Sequence, residues 1–238
     1  MATYAVDESQ RKAAKVVGFT YLLALVTANF AEFYVPSKLM TGSAAETARN
    51  IIAHERLFRV GIACDLITFA TDVVLIAALY VVLKPVNRSF ALLAAFWRLI
   101  ETVVMVVAIL SEFDVLRLLS GADYLRVFEA DRLQSLAKLH MGAHGSGYLV
   151  GLFFFGLGSS IFAYLWFKSR YIPRPLAAWG VFAALLIVAW TLASVIFPNL
   201  PNKLELVSLI PIAIFEPVMG FWLLIKGLRQ PDRLSTVR

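Results

Sequence analysis

Cys64 is the only cysteine, so no internal disulfide can form. Charge is scarce as well. Charged residues make up 16% of the chain and apolar ones 60%, against roughly 25% and 45–50% in soluble domains. That balance excludes a soluble globular class and marks an integral membrane protein. No P-loop, GxGxxG, GxSxG, HExxH or CxxC occurs, so nucleotide, flavin and standard hydrolase chemistry lack their usual sequence support. The 238 residues leave room for one bundle and no sizeable soluble domain. The net charge of +6 does not point to nucleic acid as a partner, because the basic residues cluster at the ends of apolar runs.

What is present is a series of apolar runs of about 20 residues, the length a helix needs to cross roughly 30 Å of hydrocarbon. The clearest is 139–167, which starts at His140 and His144 and ends on the basic turn Lys168-Ser169-Arg170. Further spans are expected at 16–35, 57–83, 89–111, 174–197 and 204–226. The first is read as a retained span rather than a cleaved signal peptide, because it is nearer a full span than a signal's apolar region. Pro36 should end it. Thr41-Gly42-Ser43 should cap a short surface helix, and the alternating charges of 112–138 suggest one or two amphipathic helices at the interface. Cys64 should lie within an apolar helix. The fold class expected is all-α: a polytopic membrane bundle of six transmembrane helices with short interfacial helices on the outer side, forming one domain over 1–238.

Six spans put both termini on one side. That side carries Arg11, Lys12, Lys15, Lys84, Arg88, Lys168, Arg170, Arg174, Lys226, Arg229 and Arg233, which makes it cytoplasmic. Trp97, Trp166, Trp179 and Trp222 fall toward it as an aromatic belt would. The expected location is the inner membrane, with lipid as the first partner. A small-molecule ligand would be the second, and the oligomeric state stays open.

Charges inside a span cost several kcal/mol unless paired or wet, which makes each a candidate functional residue. At about 1.5 Å per residue, Asp72, Arg98, Glu101 and Glu216 all fall roughly 15–20 Å from the basic ends. Arg98 and Glu101 share a helical face, and Asp72 on the preceding span can pair with Arg98. Pro211 and Pro217 bracket Glu216, and proline-broken helices at mid-depth are where transporters build ion sites. A second polar layer comprises Glu32, His54, Arg59, Asp65, His140 and His144. His140 and His144 have the i,i+4 spacing of helix-borne metal ligands. Zinc is the metal weighed, with His54, Asp65 or Glu32 completing the set. No cofactor is otherwise expected, and haem does not suit two histidines on adjacent turns. His144 is expected to point inward and bond to a neighbouring span, with His140 more exposed. Six of the 13 glycines fall between Gly142 and Gly158, and the spacing of Gly147 and Gly151 suits close helix packing.

Several segments resemble a known family. They are Tyr34-Val35-Pro36-Ser37-Lys38-Leu39, Leu57-Phe58-Arg59-Val60-Gly61-Ile62, Leu83-Lys84-Pro85-Val86-Asn87 and Leu119-Ser120-Gly121-Ala122-Asp123-Tyr124-Leu125. Phe167-Lys168-Ser169, Ile172-Pro173-Arg174 and Leu223-Leu224-Ile225-Lys226-Gly227 belong with them. The chain is similar over nearly its whole length to the bacterial domain-of-unknown-function 4386 family of small six-span membrane proteins. The resemblance implies fold and membrane location, and no activity. His144 matches a histidine of the family pattern and His140 does not, while Arg170 stands where the family's Lys-Ser-Gly carries glycine.

The leading reading is binding or transport of a small apolar or amphiphilic ligand through the intramembrane polar cluster. Two others stand beside it: a membrane-embedded, metal-dependent enzyme using His140, His144 and a carboxylate, and a structural subunit whose polar pairs only fix packing.

Overall fold

Helices account for every regular element among the described residues of the computed structural model, which are 6–197, 199–200 and 202–230. The extreme termini, including Arg233 of the expected cytoplasmic side, lie outside them, as do Pro198 and Pro201. The elements are α1 (Glu8–Asn29), a π turn (Phe30–Tyr34), α2 (Val35–Leu39), α3 (Ala44–Ala53), α4 (Glu55–Leu83) and α5 (Arg88–Leu118). A 3₁₀ turn (Asp123–Leu125), α6 (Ala130–Ser169), α7 (Arg174–Ile196) and α8 (Asn202–Ile225) follow. Among the described residues six helical stretches are long and apolar enough to cross a membrane, the first being Glu8–Leu39. Phe19, Val26, Val107, Phe182 and Val195 remain exposed on them, as residues solvated by lipid would.

Local chemistry explains the ends. Ser43 Oγ accepts the Glu46 N–H at 3.2 Å while Glu46 Oε2 accepts the Ser43 N–H at 2.8 Å, a reciprocal cap that starts α3. These bonds from Ser43 hold the Glu46 carboxyl below its ordinary range. Asn87 Oδ1 accepts the Phe90 N–H at 3.0 Å and starts α5.

Several sequence expectations change. Pro36 does not end the first helix, which continues to Leu39. Proline clashes with the carbonyl one turn back, and the π turn before it relieves that register by bonding the Val35 N–H to the Phe30 carbonyl. No separate amphipathic helices occupy 112–138. Instead α5 runs on to Leu118 and α6 begins at Ala130, because Val115, Leu116 and Ala137 extend the buried faces of those helices. Trp166 is no belt residue: it is 1% exposed, in the core. Pro211 and Pro217 do not break α8, which is one continuous helix. Trp179 Nε1–H donates to the Pro211 carbonyl at 2.9 Å, binding α7 to α8 there.

The chain divides into two compact units. The first holds the described parts of Met1–Leu23, Thr71–Glu101 and Leu152–Arg238, with Val17, Leu79, Ala94, Trp166 and Ile187 in its core. The second holds Ala24–Ala70 and Thr102–Gly151, with Leu39, Ile51, Phe58 and Ile109 in its core.

Candidate functional site

Among the described residues, each unit contains one cluster of buried ionisable side chains. In the first unit the cluster is built on Arg98 of α5, which is 3% exposed. Its Nη2 lies 3.4 Å from Asp72 Oδ1 on α4, and its Nη1 lies 3.4 Å from Glu101 Oε2, one turn along α5. The guanidinium also sits 4.3 Å from the centre of the Phe155 ring on α6, a cation–π contact that covers it with an apolar face. Gly158 makes that approach of α6 feasible, since a Cβ there would lie 2.7 Å from Arg98 Cγ and 2.8 Å from the Ala94 carbonyl oxygen.

Beside the guanidinium lies a small, largely enclosed cavity of about 10 Å³, lined by Tyr21, Arg98, Ser159, Trp166, Phe215 and Glu216 among others. That is space for one water molecule, by the usual measure of roughly 10–15 Å³ per water centre. The structure therefore brings together the four residues expected at mid-depth and adds Tyr21 of α1. Tyr21 and Glu216 both interact electrostatically with Arg98 and Asp72. The charges do not balance: three carboxylates, Asp72, Glu101 and Glu216, face one guanidinium.

In the second unit the cluster is built on Glu32 and His144. Glu32 is carried by the π turn, a feature common at functional sites. His144 Nδ1 lies 3.4 Å from the Ala108 carbonyl oxygen of α5, and Nε2 lies 3.5 Å from Glu32 Oε1. A carbonyl only accepts, so Nδ1 carries a proton. That leaves Nε2 facing the Glu32 carboxyl, whose Oε1 makes no hydrogen bond among the described residues. Asp65 and Glu112 are 2% and 8% exposed and complete the cluster, interacting with Glu32 and His144. Asp65 Oδ1 and Glu112 Oε2 find no hydrogen-bond partner among the described residues. Here again three carboxylates face one base.

The remaining sequence candidates lie elsewhere. His54 is exposed at the end of α3, and Arg59 pairs at 2.6 Å with Glu55 on the surface of α4. His140 Nδ1 lies 3.5 Å from Asp114 Oδ2, and its side chain is 35% exposed, against 15% for His144. Among the described residues no group of three or more His, Cys, Asp or Glu side chains is placed to hold a metal ion. The set His140, His144 and His54 does not converge, because the two α6 histidines turn to different carboxylates.

Glu112 and Tyr21 escaped the sequence reading. Glu112 falls in the 112–138 stretch expected to be amphipathic, beyond the third span. Yet Glu101, Met105, Ala108 and Glu112 follow i+4, i+7 and i+11, one face of one helix, and this spacing was the available clue. Tyr21 carried no comparable clue, being one aromatic residue in an apolar run.

A family model described as "Domain of unknown function (DUF4386)" matches residues 16–227. An uncharacterized protein of Archaeoglobus fulgidus is 25% identical over 166 residues, covering 69% of this chain and 82% of that protein. No solved structure matches the chain.

Proposed function

The chain belongs to that family of unknown function, which supplies no activity, and we propose from its own geometry that it is a proton-binding transport protein of the membrane. The observation that carries the reading is the charge count. Asp72, Glu101 and Glu216 set three carboxylates against Arg98 alone, in a site with space for one water. A pair that served only to fix helix register would be balanced, since an uncompensated buried charge costs several kcal/mol. A deficit of two positive charges (three against one) is met by protons, the only cations that need no added volume. Tyr21 and Glu216 face the water-sized cavity and are the groups that would pass a proton to and from it. The Glu32, Asp65, Glu112 and His144 cluster repeats the same imbalance and supports the same reading.

The amphiphilic ligand expected from the sequence has no room in that cavity. A groove of about 480 Å³ on α1, α4 and α8, lined by Val16, Phe19, Leu23, Val74 and Leu224 with Lys15 among them, favours a second reading in which such a ligand binds there. The location proposed is the bacterial inner membrane with cytoplasmic termini, supported by the basic turns.

The test is proton flux into sealed proteoliposomes containing a trapped pH dye, driven by a potassium diffusion potential. The full-length protein should acidify the lumen faster than protein-free vesicles, and Glu216→Gln should abolish the difference while the exposed variant Glu8→Gln keeps it. No flux above that of protein-free vesicles would rule the proposal out.

A further inference from the structure

Three apolar helices of the first unit end close together in a basic turn. Lys168 and Ser169 close α6, Pro173 precedes α7, and Gly227 follows α8 with φ of +66°. The Arg229 N–H donates to the Tyr171 carbonyl at 2.8 Å, which ties the segment after α8 to the α6–α7 turn. A cavity of about 320 Å³ results, lined by Arg170, Ile172, Pro173, Arg174, Pro175 and Arg229. Three of these six are arginines, and none of the described lining residues is acidic.

Two features set this cavity apart from an ordinary basic surface. Arg174 and Arg229 are held rather than free to sweep, because their guanidinium groups lie 5.5 Å from the Phe167 ring and 4.9 Å from the Trp222 ring. Arg170 has φ of +60°, alone among the described non-glycine residues in that region. Glycine would adopt this conformation at no steric cost, whereas a side chain there crowds its own backbone. This left-handed residue caps the end of α6 and sets a third arginine on the rim of the cavity.

The chemistry of that ligand follows from the donors. Guanidinium forks bind tetrahedral oxyanions in bidentate fashion, and phosphate is the oxyanion found at the depth where membrane-spanning helices end. Basic pockets at that level suit anionic phospholipid head groups. We propose that Arg170, Arg174 and Arg229 form a phosphate site that holds the head group of an anionic phospholipid at the end of α6, α7 and α8. This site does not depend on the proton-binding reading, and it would anchor the protein or tune it by lipid composition.

Native mass spectrometry of the full-length protein tests the assignment, with phosphatidylglycerol and phosphatidylcholine offered in equal amounts. Phosphatidylglycerol should be retained about tenfold over phosphatidylcholine, and Arg174→Gln/Arg229→Gln should remove that preference. Arg11→Gln, an exposed basic residue outside the cavity, should keep it. Arg170→Gly separates binding from folding: it relieves the backbone, so the melting temperature should hold or rise while retention of phosphatidylglycerol falls. Equal retention of both lipids overturns the proposal, and so does an unchanged preference in the double variant. Inorganic phosphate displacing the lipid at equal concentration would make this a free-phosphate site and overturn the lipid assignment. A fall in melting temperature matching the loss of lipid in Arg170→Gly would show a structural arginine and overturn it too.

Discussion

His144 Nε2 lies 3.5 Å from Glu32 Oε1, and the carboxylate reaches it from a π turn just ahead of Pro36. The geometry joins a backbone irregularity to a buried polar contact, and it fixes which face of the first helix turns inward at that level. With Nδ1 set against the Ala108 carbonyl, Nε2 is the ring atom that faces the carboxyl.

The two side chains should therefore be energetically coupled. In a double-mutant cycle of Glu32→Gln and His144→Gln, unfolding should give a coupling energy on the order of 1 kcal/mol, as for side chains in contact. Additive effects would dismiss the contact as an energetic one.

Around Arg98 the charge imbalance predicts unequal costs. Arg98→Ala leaves three carboxylates facing one another and should lose most folded protein in detergent, a cost of about 3–5 kcal/mol. Asp72→Asn or Glu101→Gln still leaves the guanidinium a partner and should cost clearly less. Adding Asp72→Ala to Arg98→Ala should recover part of the folded yield. Equal losses from removing the base and from removing a single acid would contradict the imbalance.

Glycines of α6 should differ sharply. Gly158→Ala puts a methyl against Ala94 and Arg98 and should destabilise by about 1–3 kcal/mol, the usual cost of overpacking. Gly142 has nothing within 4 Å of its would-be Cβ, so Gly142→Ala should be neutral or gain up to about 1 kcal/mol of helix propensity. Thermal melts of the two variants check the contrast, and a similar response from both would refute the close approach at Gly158.

Topology is checked with single cysteines at Asn87 and Lys168 in a Cys64→Ala background. Both positions belong to basic turns expected in the cytoplasm. An impermeant thiol reagent applied to intact cells should leave both unlabelled, while a permeant one labels both. Labelling of either by the impermeant reagent would reverse the orientation.

Helix type, the approximate place of each apolar stretch and the presence of buried charge in the chain were legible from residue order. Span length and hydropathy are sums over neighbouring residues, and an apolar run of that length has little alternative to a helix in lipid. The ion pair of Asp72 with Arg98 was legible for a related reason, since adjacent helices joined by the short Lys84–Asn87 turn must pack side by side. The membership of the second cluster was not. These helices are apolar nearly all round, so composition leaves the rotation of each about its axis undetermined. Packing set that rotation, sending Arg59 to the surface of α4 and bringing Glu112 in; His54 lies at the end of the short helix α3, outside the spans. At Glu32 the extra residue of the π turn shifted the register by about 100°, a step that no local sum of hydropathy contains.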